Sequence, residues 1–145
     1  MLQLARILIY RWRLRPRERW TRARLEAHQA RELAALRTFA LAHSPFYRDF
    51  HRGLERGSLS ELPVLTKATL MQRFDEVVTD PRLRLSDLQR YLEALRDDEL
   101  FAGRYWVSAT SGSSGLRSIT PSDRREWATI VASYGRANEW GGIRI

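Results

Sequence analysis

Over residues 18–42, apolar side chains return every third or fourth position: Trp20, Ala23, Ala27, Ala30, Leu33, Ala34, Leu36 and Ala40. Charged residues fill much of the opposite face. This is the period of an α-helix with one inward stripe. Pro16 breaks the segment ahead of it, because an interior proline costs a helix about 3 kcal/mol. Ser44-Pro45 stops it, because the residue before a proline is pushed out of helical geometry.

The same reasoning places further short helices. Phe46, Tyr47 and Phe50 form an aromatic turn, and Gly53, Gly57 and Ser58 mark a loop. Thr66 is a good N-cap, and Leu70, Phe74, Val77 and Val78 follow at helical spacing, so one helix is expected over 67–78. Asp80-Pro81 is a turn. Ser86 and Gln89 fit a capping box for a helix carrying Leu88, Leu92 and Leu95. Ser122 is the expected cap of a last helix, 123–137, with Trp127, Ile130, Val131 and Tyr134 on its stripe and Gly141-Gly142 at its end. Ile143-Arg144-Ile145 resembles the start of a strand. The histidines, His28, His43 and His51, have no metal-ligand spacing and are expected on the surface or in packing.

Charge is concentrated at one end. The net charge is +8 over 145 residues. Residues 1–24 hold eight arginines (Arg6, Arg11, Arg13, Arg15, Arg17, Arg19, Arg22 and Arg24) against one acid, Glu18, which is +7 and leaves +1 for the rest. The block reads as a solvated, arginine-rich first helix, or as an arm over residues 6–24 that meets nucleic acid or an anionic membrane. Lys67 is the single lysine, a bias that codon usage alone produces. The absence of cysteine excludes a disulfide framework, a thiolate metal site and a cysteine nucleophile, and it is compatible with the expected cytoplasmic location. The longest apolar run near the start, residues 7–10, is too short for a span or a secretory signal. The arginine block is expected to run without interruption into a good helix, which argues against a removable presequence.

The texture changes near residue 105. Tyr105-Trp106-Val107-Ser108-Ala109 is β-rich and feeds into Thr110-Ser111-Gly112-Ser113-Ser114-Gly115, with Ile119-Thr120-Pro121 as a return strand. Glycine lets backbone approach a ligand, successive N–H groups converge on an anion, and hydroxyls add donors. A Gly/Ser linker has the same composition. No Gly-Lys-Ser/Thr follows, so it is not a Walker-type loop. Leu116 stands where a nucleophile elbow needs its last glycine.

The run 110–115 resembles the Thr-Ser-Gly-Thr-Thr-Gly phosphate loop of the adenylate-forming (acyl-activating) superfamily. Ser44-Pro45-Phe46-Tyr47, then Leu62-Pro63-Val64-Leu65-Thr66-Lys67, resemble the approach to that loop in phenylacetate–CoA ligase and the CapK-like proteins of capsular polysaccharide biosynthesis. The resemblance covers about residue 25 to the end. It implies an ATP- and magnesium-dependent ligase that forms an acyl-adenylate from a carboxylic acid, releases pyrophosphate and commonly passes the acyl group to coenzyme A. Thr110, Ser111, Gly112, Ser113, Ser114 and Gly115 match the loop that holds the β- and γ-phosphates, and Arg117 is a further source of positive charge. Arg117 and Ser118 replace the family's usual proline and its lysine or small polar successor.

The resemblance further implies an α/β parent domain, of which this chain is the mostly helical N-terminal part with two or three short strands. Its expected division is an arginine-rich segment, 1–24, and an incomplete adenylate-forming part, 25–145. The family's adenine- and magnesium-binding segment, ribose-binding aspartate, hinge and catalytic lysine are expected beyond residue 145. On that expectation the chain alone is inactive, and exposed core surface favours oligomers. The alternative is a non-catalytic basic helical module.

Overall fold

The structure, a computed structural model, describes residues 2–112 and 115–143. The helices are α1 (Leu2–Leu14), α2 (Arg22–His43), α3 (Pro45–Phe50), α4 (Lys67–Gln72), α5 (Phe74–Val77), α6 (Leu85–Ala94) and α7 (Arg124–Trp140). The strands β1 (Trp106–Ala109) and β2 (Ile119–Ser122) pair in one two-stranded antiparallel sheet. The chain is therefore mostly helical with two short strands. No helix among the described residues is long and apolar enough to cross a membrane.

The chain divides into two compact units. The first comprises residues 1–27, 96–107 and 121–145. Here α1 packs along α7. Ala128, Ala132 and Gly135 are buried on α7, and small side chains let a neighbouring helix approach. A β-carbon on Gly135 would lie 3.5 Å from Arg11 Cδ. Gln3 Nε2 donates to the Arg124 carbonyl (3.0 Å), and Arg11 pairs with Glu139. Trp106 and Trp127 stack with centroids 5.6 Å apart.

The second unit comprises residues 28–95 and 108–120. Phe46, Met71, Phe74, Leu83, Leu88 and Ile119 are its buried apolar side chains. Ser44, fully buried, caps α3: its Oγ accepts from Tyr47 N (3.4 Å) and donates to the Glu76 carbonyl (3.0 Å). The Arg37 guanidinium donates to the carbonyls of Leu54 (2.8 Å), Glu55 (3.1 Å) and Gly57 (2.5 Å), which ties this loop to α2.

The expected stripes of α2 and α7 are largely exposed, with no residue of α2 buried and Ala128, Ala132 and Gly135 buried on α7 in place of Ile130 and Tyr134, and four expected bounds and caps need correction. The arginine block does not run unbroken into the long helix. Arg15–Arg19 is a 3-10 turn around Pro16, and the helix begins at Arg22, where Thr21 Oγ1 accepts from Arg24 N (3.3 Å). The helix over 67–78 breaks at Arg73 (φ −108°, ψ 24°), whose guanidinium turns back to Glu76 (2.5 Å) and lies 4.8 Å from the Phe46 ring centroid. Ser86 and Gln89 do not form the cap of α6. That helix starts at Leu85, two residues earlier than a Ser86 cap would place it, and Asp75 Oδ1 accepts from Leu85 N (2.8 Å) in the capping role. Asp123, not Ser122, caps α7, with Arg125 N and Glu126 N donating to it (2.7 and 2.9 Å). A hydroxyl one residue earlier loses to a carboxylate that also completes a capping box with Glu126. Gly141 closes α7 as expected. Of the expected nascent strand Ile143-Arg144-Ile145, Ile143 is in no strand and donates its N–H to the Asn138 carbonyl (2.9 Å), and Arg144 and Ile145 lie outside the described residues.

Candidate functional site: a cation-flanked glycine loop

The loop leaves β1 at Thr110 and returns at Ser118. Thr110 N donates to the Ser118 carbonyl (3.0 Å), and Ser118 N donates to Thr110 Oγ1 (2.9 Å), so the two ends are clamped at the mouth of the hairpin. Inside the clamp, Gly115 N donates to the Gly112 carbonyl (2.8 Å). Gly112 (φ +73°) and Gly115 (φ +85°) both occupy the left-handed region that a side chain disfavours. Ser113 and Ser114, two of the six expected phosphate ligands, lie outside the described residues. The clamped ends distinguish the flanks of this segment from a free Gly/Ser linker, whose backbone has no such fixed partners.

Two cations border the loop. Thr66 caps α4 by accepting from Thr69 N (3.1 Å), which sets Lys67 at the first position of that helix. From there the Lys67 ammonium reaches the Leu116 carbonyl and stands 3.4 Å from Thr110 Oγ1. Arg117 folds back over the loop, with Nε 3.4 Å from the Thr110 carbonyl. Lys67 and Arg117 are both exposed. The sequence singled out Arg117, but it marked Lys67 only as one residue of an upstream motif.

Beside the loop lies an open groove of about 590 Å³, lined by Met71, Gln72, Leu85, Gln89, Gly115 and Arg117. Its volume falls within the range of small-ligand sites. Met71 ties this region to the hairpin, because Ile119 N donates to its Sδ (3.4 Å). Among the described residues, no three histidine or acidic side chains come together as a metal-binding group.

Comparison with protein-family models, curated proteins and solved structures finds no match to this chain.

Proposed function

We propose that this chain carries the nucleotide phosphate-binding loop of an adenylate-forming ligase of the phenylacetate–CoA ligase type. One observation carries the reading. Lys67 closes the Leu-Pro-x-Leu-Thr-Lys segment, and it lies against the loop 110–115 although 43 residues separate it from Thr110. Two segments that resemble the same family independently thus meet around one backbone feature.

The residues fit a polyphosphate. Lys67 and Arg117 supply two positive charges, Thr110 and Ser111 supply hydroxyls, and the left-handed glycines open the backbone to close approach. In the free loop, Lys67 donates to the Leu116 carbonyl and Arg117 leans toward the Thr110 carbonyl. A phosphate oxygen replaces a neutral acceptor with a charged one, and charge-assisted hydrogen bonds are roughly twice as strong.

In the proposed reaction, a carboxylate oxygen attacks the α-phosphorus of ATP, and the bond to the bridging oxygen of pyrophosphate breaks. Negative charge then grows on the departing β-phosphate. The task of Lys67, Arg117 and the loop is to position that group and stabilise its charge. Magnesium accompanies the nucleotide in such ligases. Among the described residues no three histidine or acidic side chains come together to hold it, so it would be held chiefly by the nucleotide phosphates. Coenzyme A, as the acyl acceptor, belongs to the same proposal.

The test is phosphorus NMR of ATP, tripolyphosphate and AMP titrated with the chain. ATP and tripolyphosphate are expected to bind in preference to AMP. Lys67→Gln is expected to weaken binding about tenfold or more, the value of one charge-assisted contact. Equal binding of AMP, or no effect of Lys67→Gln, overturns the reading.

A further inference from the structure

Helix α1 carries apolar side chains on both sides: Ile7, Tyr10 and Leu14 are half-buried together with Gln3 and Arg11, and a second apolar set is exposed. Toward α7 it turns Gln3 and Arg11, which hydrogen-bond or pair there. Outward it presents Leu2, Leu4, Leu8, Ile9 and Trp12, with Leu2 88% and Trp12 72% exposed. Leu4, Leu8 and Trp12 follow one another at four-residue steps. Leu2 and Ile9, seven apart, run beside them with Ala5 between. These positions form one continuous stripe.

The end of the stripe is cationic. Arg13 stands at its edge, and Arg15, Arg17 and Arg19 follow in the 3-10 turn, all exposed. The one acid of the region, Glu18, is engaged by Arg136 (3.3 Å). Arg17 also lies 5.5 Å from the Trp20 ring centroid.

We propose that α1 is an interfacial helix that lays Leu2, Leu4, Leu8, Ile9 and Trp12 into the headgroup–acyl boundary of an anionic bilayer while Arg13, Arg15 and Arg19 meet lipid phosphates. The chemistry selects a membrane over the other occupants. A contiguous apolar face bordered by arginine, with tryptophan near the boundary, is the pattern of helices that lie in the interface plane. At 13 residues, α1 is too short to span, which takes about 20. Nucleic acid rewards the arginines through counterion release but offers nothing to exposed leucines. A second copy paired in parallel along this stripe would bring its own arginines against these. The proposal does not rest on the phosphate-loop reading, since it uses none of the residues of that loop.

The experiment is co-sedimentation of the full chain with vesicles of phosphatidylcholine alone and of phosphatidylcholine mixed with phosphatidylglycerol, across a salt series. Sedimentation with the anionic vesicles is expected, weakening with salt but not abolished by it. Leu8→Gln with Ile9→Gln is expected to lower partition about tenfold or more, since two aliphatic side chains leave the acyl boundary. Both side chains are exposed, so helix content by circular dichroism should stay unchanged. Trp12→Gln is an independent variant expected to act in the same direction. Absence of anionic-vesicle partition overturns the proposal. So does partition that salt abolishes and the apolar variants leave untouched, as simple charge attraction would give. A dimer that the Leu8/Ile9 variant disperses, without vesicle partition, assigns the stripe to a second copy and also overturns it.

Discussion

The α-carbon of Gly112 lies so close to the Arg117 side chain that a β-carbon on it would stand 2.6 Å from Arg117 Cγ. The absence of a side chain at one position thus allows the cation at another to fold over the loop. Gly112→Ala should expel Arg117 and strain a backbone held at φ +73°, which costs roughly 1–2 kcal/mol for an L-residue. Gly115 has a similar φ, +85°, but open space where its β-carbon would be. Gly115→Ala should show the backbone cost alone. Urea unfolding of both variants, with tripolyphosphate titrations alongside, separates strain from displacement of the cation. Equal losses in the two would mean that the Arg117 contact contributes nothing.

Ser44 joins two segments through one hydroxyl. Its Oγ accepts from Tyr47 N and donates to the Glu76 carbonyl in a fully buried setting. Ser44→Ala removes an N-cap and orphans a carbonyl, so a loss of about 1–3 kcal/mol is expected in denaturant unfolding. Thr66→Ala removes a cap that is exposed on α4 and should cost less, about 1 kcal/mol. If the Ser44 change is as mild as the Thr66 change, water has taken over the role of the lost hydroxyl.

The cap of α6 gives a cleaner contrast. Asp75 Oδ1 accepts from Leu85 N, while Ser86 sits inside the helix. Asp75→Ala should destabilise by about 1 kcal/mol. Ser86→Ala should be neutral or slightly stabilising, since alanine is the better helix former. Thermal unfolding of both variants checks this, and the opposite ranking would restore the local capping box.

These cases show which features of the fold were legible in the sequence. Signals that act within four residues were readable: the Thr66 cap, the Ser44-Pro45 stop, the two strands around the glycine run, and Gly141 at the end of α7. The cap of α6 was not, because its acceptor comes from ten residues away and a serine of the right spacing lay closer. The break at Arg73 was hidden for a related reason: Met71 and Phe74 keep helical spacing on either side of it, and both are buried. At the candidate site, the loop itself was legible from composition. The approach of Lys67 was not, because periodicity says nothing about which distant side chain will reach a given carbonyl. The exposed apolar stripe of α1 escaped notice because net charge dominated the reading of that segment.

The acid response of the chain should fall in two windows, each with its own cause. Burial, and then the neighbouring Arg37 charge, lower the His51 pKa below its ordinary 6.5. The unfolded chain therefore takes up this proton at a higher pH than the folded one. The stability from neutral His51 is fully present above 6.5, declines as pH falls toward the lowered folded value, and is flat below it. The second window is carboxylate. The Arg73 hydrogen bond holds Glu76 below its ordinary 4.5, the Ser58 hydroxyl and amide do the same for Glu61, and backbone amides, first that of Gly53, do so for Glu55. Their contribution is present above 4.5 and is lost as pH falls through the folded values. Urea unfolding across a pH series should show the upper decline vanish in His51→Gln and the lower one shrink in Glu76→Gln. An upper decline that survives His51→Gln would assign it to another group. A lower decline unchanged in Glu76→Gln would mean that solvent screens the Arg73–Glu76 pair into irrelevance, the usual fate of an exposed ion pair.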